Sequence, residues 1–142
     1  MGGRSRTAAT TRAGARDDGS SVAEFVMVAG LVLLIGVGVF QLGVALYVRN
    51  TLIMGAAEGA RWGARADAQV GDAEGRTRAI LADSLPAAYG DQVSATRAVT
   101  PDGVAIVSVS VTAPMPVIGL LGPSGTMTVT GRAFDERQVI AP

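Results

Sequence analysis

FVMVAGLVLLIGVGVFQLGVALYV, residues 25–48, is the stretch on which the reading of this chain turns. Its 24 residues hold no charged side chain and one amide, Gln41. At 1.5 Å per residue an α-helix of this length reaches about 36 Å, enough to cross a hydrocarbon core of about 30 Å with some tilt. Fifteen of the positions are Val, Leu, Ile or Phe. At roughly −0.3 to −0.6 kcal/mol each, their transfer into lipid is favourable by about 5 to 9 kcal/mol, which one Gln and several Gly do not reverse. Working outward, Arg4, Arg6, Arg12 and Arg16 precede the stretch. The positive-inside tendency therefore predicts a cytoplasmic N-terminus, with the residues after 48 outside, while Arg49, Arg61 and Arg65 pull weakly the other way.

The rest of the chain has room for one modest domain. It is 142 residues long with formal net charge zero, and its 49% hydrophobic against 17% charged residues exceeds the usual soluble balance. With neither Cys nor His, disulfides, thiolate metal sites and the commonest general base are excluded. All twelve basic residues are Arg and are matched by twelve acidic ones, so nothing points to nucleic acid. Four zones follow. Residues 1–19 show no helical or strand period and read as a disordered leader, and 20–48 read as the transmembrane helix. Residues 49–69, Ala-rich and Pro-free, continue that helix outside the membrane, and 70–138 form a small extracytoplasmic domain.

Within that domain DAEGRTRAILADSL (72–85) predicts a second helix, capped by Asp72 and closed by Pro86. From Gln92 the texture changes to alternation. VSATRAV, the turn TPDG at 100–103 and VAIVSVSVT predict a β-hairpin, with Val107, Val109 and Val111 on one face and Ser108, Ser110 and Thr112 on the other. TMTVTGRAF adds a third strand, free by its sequence to join either edge of the hairpin. The expected fold class is α+β: a long N-terminal helix, a second helix and a three-stranded antiparallel sheet.

No segment carries catalytic chemistry. Gly36, Gly38 and Gly43 lie inside an apolar span without the strand-turn-helix setting of a dinucleotide loop, and no Ser or Asp has a His or Lys base. Neither an enzyme nor a metal or cofactor site is expected. The small residues say more. Ala29, Gly36, Gly43, Ala57 and Ala64 recur on a seven-residue spacing, and Gly55, Gly59 and Gly63 form two overlapping GxxxG steps. Such strips let another helix approach closely. The other readings are a general abundance of Gly and Ala, or, for Gly55 to Gly63, packing against the domain's own sheet. The apolar stretch Val117 to Leu121 is a partner surface or a core plug, with the core preferred.

The sharpest signal lies where the leader meets the span, in RDDGSSVAEFVMVAGLVLL. Gly19 is followed by four uncharged residues, then Glu24, then Phe25. This resembles the type IV prepilin processing motif, which implies cleavage after Gly19, a new N-terminus at Ser20, Glu24 as the assembly carboxylate and Phe25 as its aromatic companion. A carboxylate at the lip of a membrane helix costs free energy and asks for a partner. In a filament of packed helices the α-amino group of Ser20 on a neighbouring subunit offsets that cost, making Glu24 a register device. Together with VRNTLIMGAAEGARWGA after the span, the second helix, the hairpin and the Gly/Pro-containing apolar loop, the chain from Gly19 to about Gln138 resembles the TadE-like proteins, pseudopilins of Flp-type tight-adherence (Tad) pili.

The resemblance implies a minor component of a pilus assembly or secretion machine. Its partners would be the lipid bilayer, a prepilin peptidase, other pilins and the assembly platform, and its location the cytoplasmic membrane with possible entry into an extracellular pilus. The Ser at the first mature position departs from the bulky apolar residue of many prepilins, and the large β part favours a minor subunit over the main one. Two rivals stand beside this reading: an unprocessed single-pass anchor presenting a binding domain, and a secreted domain released from a signal peptide. The 24-residue apolar length argues against the second, since signal h-regions run about 7 to 15 residues.

Overall fold

The computed structural model describes residues 14–116 and 125–140, with side chains described for 19–116 and 125–138. The element order is α1 (Gly14–Gly63), α2 (Val70–Ser84), a 3₁₀ turn at Ala87–Tyr89, β1 (Gln92–Val99), β2 (Ala105–Pro114), β3 (Thr126–Phe134) and a short α3 (Arg137–Ile140). The α+β expectation holds. Of the 1–19 leader, residues 14–19 are helical rather than disordered, because the first turns of α1 run back through Gly19 to Gly14. Residues 1–13 and the Val117 to Leu121 stretch lie outside the described residues. The chain divides into two units at Phe40/Gln41.

In the first unit every described side chain from Gly19 to Phe40 is exposed. The large apolar ones, Val22 through Phe40, stand at 47% to 72% exposure. Nothing in the described chain covers them. It is one helix long and apolar enough to span a membrane.

In the second unit, α1 contributes a stripe at four-residue steps, Val48, Leu52, Ala56 and Ala60, which Ala64 just past its end continues, each at most 4% exposed. This is the spacing at which one helical face recurs. The stripe lies against Val107, Val109, Val111, Val93 and Val129 of the sheet, with Leu81 and Leu85 closing the side. The sheet order is β1-β2-β3, antiparallel throughout. β3 therefore joins the free side of β2, which settles the edge that the sequence left open. Alternation along β2 is as expected: Val107, Val109 and Val111 are fully buried, while Ser108, Ser110 and Thr112 look outward. The hairpin turn closes with Gly103 N–H donating to Thr100 O at 2.9 Å. Gly103 takes φ +83°, the left-handed value a side chain would resist.

Two helix boundaries differ from the sequence expectation. α1 ends at Gly63, not near residue 69. Its last carbonyls are drawn off by tertiary donors: Arg97 Nη2 donates to Gly63 O at 2.9 Å, and Glu136 N to Ala64 O at 2.9 Å. Arg137 donates to Ala66 O and Ala68 O at 3.1 and 2.6 Å. These bonds satisfy groups that another turn of helix would otherwise have satisfied. α2 starts at Val70 rather than at Asp72, with Gln69 in the cap position. Asp72 still serves the helix start, but from its third residue, where Oδ2 accepts the Gln69 N–H at 2.7 Å.

Candidate functional site

The Gly-x-x-x-Gly steps are filled from within the chain. α2 runs antiparallel to α1 and lays Ala73, Thr77 and Leu81 over Gly63, Gly59 and Gly55 in turn. A Cβ on Gly55 would come to 2.9 Å from Leu81 Cδ2, one on Gly63 to 2.5 Å from Ala73 Cβ, and one on Gly59 would collide with Thr77 Oγ1. Three absent side chains thus let two helix backbones approach closely. The buried Thr77 hydroxyl is satisfied by donating to Ala73 O at 2.8 Å.

A second close approach fixes the sheet. Gly131, in the middle of β3, faces the backbone of Ala56 and Ala57, and a Cβ there would overlap both. The far end of the domain is locked by a largely buried ion pair. Arg97 Nε lies 2.5 Å from Oδ2 of Asp135, whose side chain is 3% exposed, although the N–H is not aligned for a hydrogen bond. Asp135 Oδ1 also accepts the Arg137 N–H at 3.1 Å. Asp135 thereby holds the two arginines that cap the α1–α2 connection. Sequence reading missed this cluster, since three residues separated by up to 40 positions carry no local pattern.

The residues singled out for assembly lie elsewhere, in the first unit. Ser20, Glu24 and Phe25 are all exposed on α1, Phe25 at 72%. Ser20 and Glu24, four apart, fall on one face of the helix. A Cβ placed on Gly19, Gly36 or Gly43 would meet nothing within 4 Å. The seven-residue strip therefore splits: Gly36 and Gly43 are open, whereas Ala64 is buried in the domain core. Among the described residues no three His, Cys, Asp or Glu side chains come together as metal ligands.

No curated protein and no solved structure matches the chain. Residues 19–61, which open at the Gly before the proposed cut and close just short of the end of α1, match the family model described as TadE-like protein, in keeping with a TadE-like protein of the Tad pilus system.

Proposed function

We propose that the chain is a minor pseudopilin, a structural subunit of a Tad-type pilus or a related secretion machine, cut by a prepilin peptidase between Gly19 and Ser20. The observation that carries this reading is the helix from Gly19 to Phe40. Its apolar side chains are all uncovered, a single carboxylate, Glu24, stands at its start, and the stretch lies inside the TadE-like match. Exposed apolar surface on this scale must be covered by lipid or by other helices. A pilus subunit uses both in succession, first in the cytoplasmic membrane and then in the filament. In the second state Glu24 is desolvated and is offset by the Ser20 α-amino group of a neighbour. The N-terminus lies in the cytoplasm and the domain outside.

On this proposal the membrane span ends inward of residue 48. Val48 is 4% exposed and belongs to the domain core, and Val44 packs against it. Those residues are claimed by protein rather than lipid. The lipid-facing stretch is then Val22 to Gly43, which at 1.5 Å per residue is about 33 Å and still spans the hydrocarbon core.

N-terminal sequencing of the membrane-bound protein, taken from its native host or co-expressed with a cognate peptidase shown active on another substrate, tests the proposal. A start at Ser20 is expected. A start at Met1 or Gly2 would identify an unprocessed anchor, and a start beyond residue 48 a secreted domain.

A further inference from the structure

α1 is helical from Gly14 to Gly63, but what holds it helical changes along its length. From Val44 to Gly63 the domain holds it, the Val48–Ala60 stripe lying on the sheet and Gly55, Gly59 and Gly63 on α2. From Val22 to Gly43, on the membrane reading above, lipid holds it, because a backbone N–H or C=O released inside hydrocarbon finds no water to replace its partner. Gly19, Ser20 and Ser21 have neither support. Their side chains are exposed, and they lie on the watery side of the span, where solvent takes up a released backbone group. Without packing or lipid, intrinsic propensity decides whether a helix persists.

That propensity is poor. Asp17, Asp18, Gly19, Ser20, Ser21 and Val22 follow one another without a single strong helix former. Gly gives up the most backbone freedom, Asp and Ser are residue types that offer the backbone competing hydrogen bonds, and Val loses rotamer freedom against the preceding turn. The weak run is sharply bounded: Ala15 and Arg16 before it, and Ala23 and Glu24 after it, are all good helix formers.

The Gly19–Ser20 bond sits in the middle of this run, within helical backbone. A helix is a poor form in which to hydrolyse a peptide bond. Its hydrogen bonds engage the Gly19 carbonyl with the N–H four residues on, and the adjoining turns crowd the carbonyl carbon. An enzyme groove that takes an extended peptide by main-chain pairing needs those groups free. In the cut, water adds to the Gly19 carbonyl carbon, the bond to the Ser20 nitrogen breaks and that nitrogen takes a proton, leaving a Gly19 carboxyl and a Ser20 amine. The carbonyl has to leave the helix first.

We infer that Asp17–Val22 is an unwinding segment, at which α1 opens to present Gly19–Ser20 to the peptidase as extended backbone; the inference rests on the processing proposed above. Asp17, Asp18 and Val22 are then positioning residues, acting through the ease of helix opening.

The test uses the full chain in membranes, with and without a prepilin peptidase shown active on another substrate. Asp17→Glu, Asp18→Glu and Val22→Leu together strengthen the helix while keeping both charges and the apolar side chain. Without peptidase, amide hydrogen exchange over residues 17–22 should run at least about 100-fold faster than over Leu31–Val39, and the triple variant should slow it. With peptidase, the triple variant should be cut at the same bond about fivefold more slowly. Asp17→Asn with Asp18→Asn removes the charges at nearly unchanged helix propensity and should be cut at the wild-type rate. Exchange over 17–22 as slow as in mid-span, a triple variant cut as fast as wild type, or an Asn pair slowed as much as the triple variant would overturn the inference. A wild-type chain left uncut by the active peptidase would instead strike the processing proposal, and the inference with it.

Discussion

Gly131 and Asp135 are the residues on which the domain depends most, for opposite reasons. At Gly131 the absence of a side chain is the contribution: the space a methyl would need is filled by the backbone of Ala56 and Ala57, which cannot step aside as a side-chain tip can. Gly131→Ala should therefore destabilise the full chain in detergent by about 3 kcal/mol, at the upper end of overpacking costs. Gly43→Ala, whose methyl meets nothing within 4 Å, should leave the denaturant midpoint almost unmoved. At Asp135 the charge is the contribution. Asp135→Asn leaves Arg97 facing a neutral partner in a mostly buried site, and a loss of about 3 kcal/mol is expected, since one half of a buried pair is worth less than nothing alone. Replacing both, as Arg97→Met with Asp135→Leu, should recover part of that loss in a double-mutant cycle.

Among the elements, the second half of α1 has the most to do, packing on the sheet through its Val48–Ala60 stripe and on α2 through its glycines. Leu52 is the largest side chain of the stripe and fully buried. Leu52→Ala should cost about 2 to 5 kcal/mol in the same denaturation assay, the spread reflecting how far the surrounding valines can close the cavity. The helix pattern, the hairpin and the alternation along β2 were legible because each is a local rhythm of apolar residues. The end of α1 was not. Gly63 stops α1 because Arg97, Glu136 and Arg137 bond the carbonyls at and just beyond it, and none of those residues is near it in the chain. The GxxxG steps were legible as a place of close helix approach, but their occupant, α2 of the same chain, was not, since the motif records clearance and carries no address.

For the whole molecule, the division at Phe40/Gln41 separates a helix whose side chains no other described residue covers from a domain with its own core. With no native Cys, single cysteines report on each part cleanly. In intact membranes Leu33→Cys should resist a water-soluble maleimide while Met54→Cys, 70% exposed in the domain, reacts from the outer side only. Equal labelling of both would remove the membrane span. On the pseudopilin proposal the Glu24 carboxylate acts between subunits rather than within one, so Glu24→Ala should leave membrane insertion unchanged and abolish pilus-dependent phenotypes; normal piliation in that variant would count against the proposal. By itself the sequence determined the apolar helix, the α+β class and the Gly19–Glu24–Phe25 spacing, all of them consequences of composition and local period. Only the tertiary structure decided that the domain core reaches back to Val48, that α2 fills the glycine steps, and that β3 pairs with β2. Those outcomes depend on which distant surfaces meet, and complementarity between distant surfaces leaves no periodic trace in the chain.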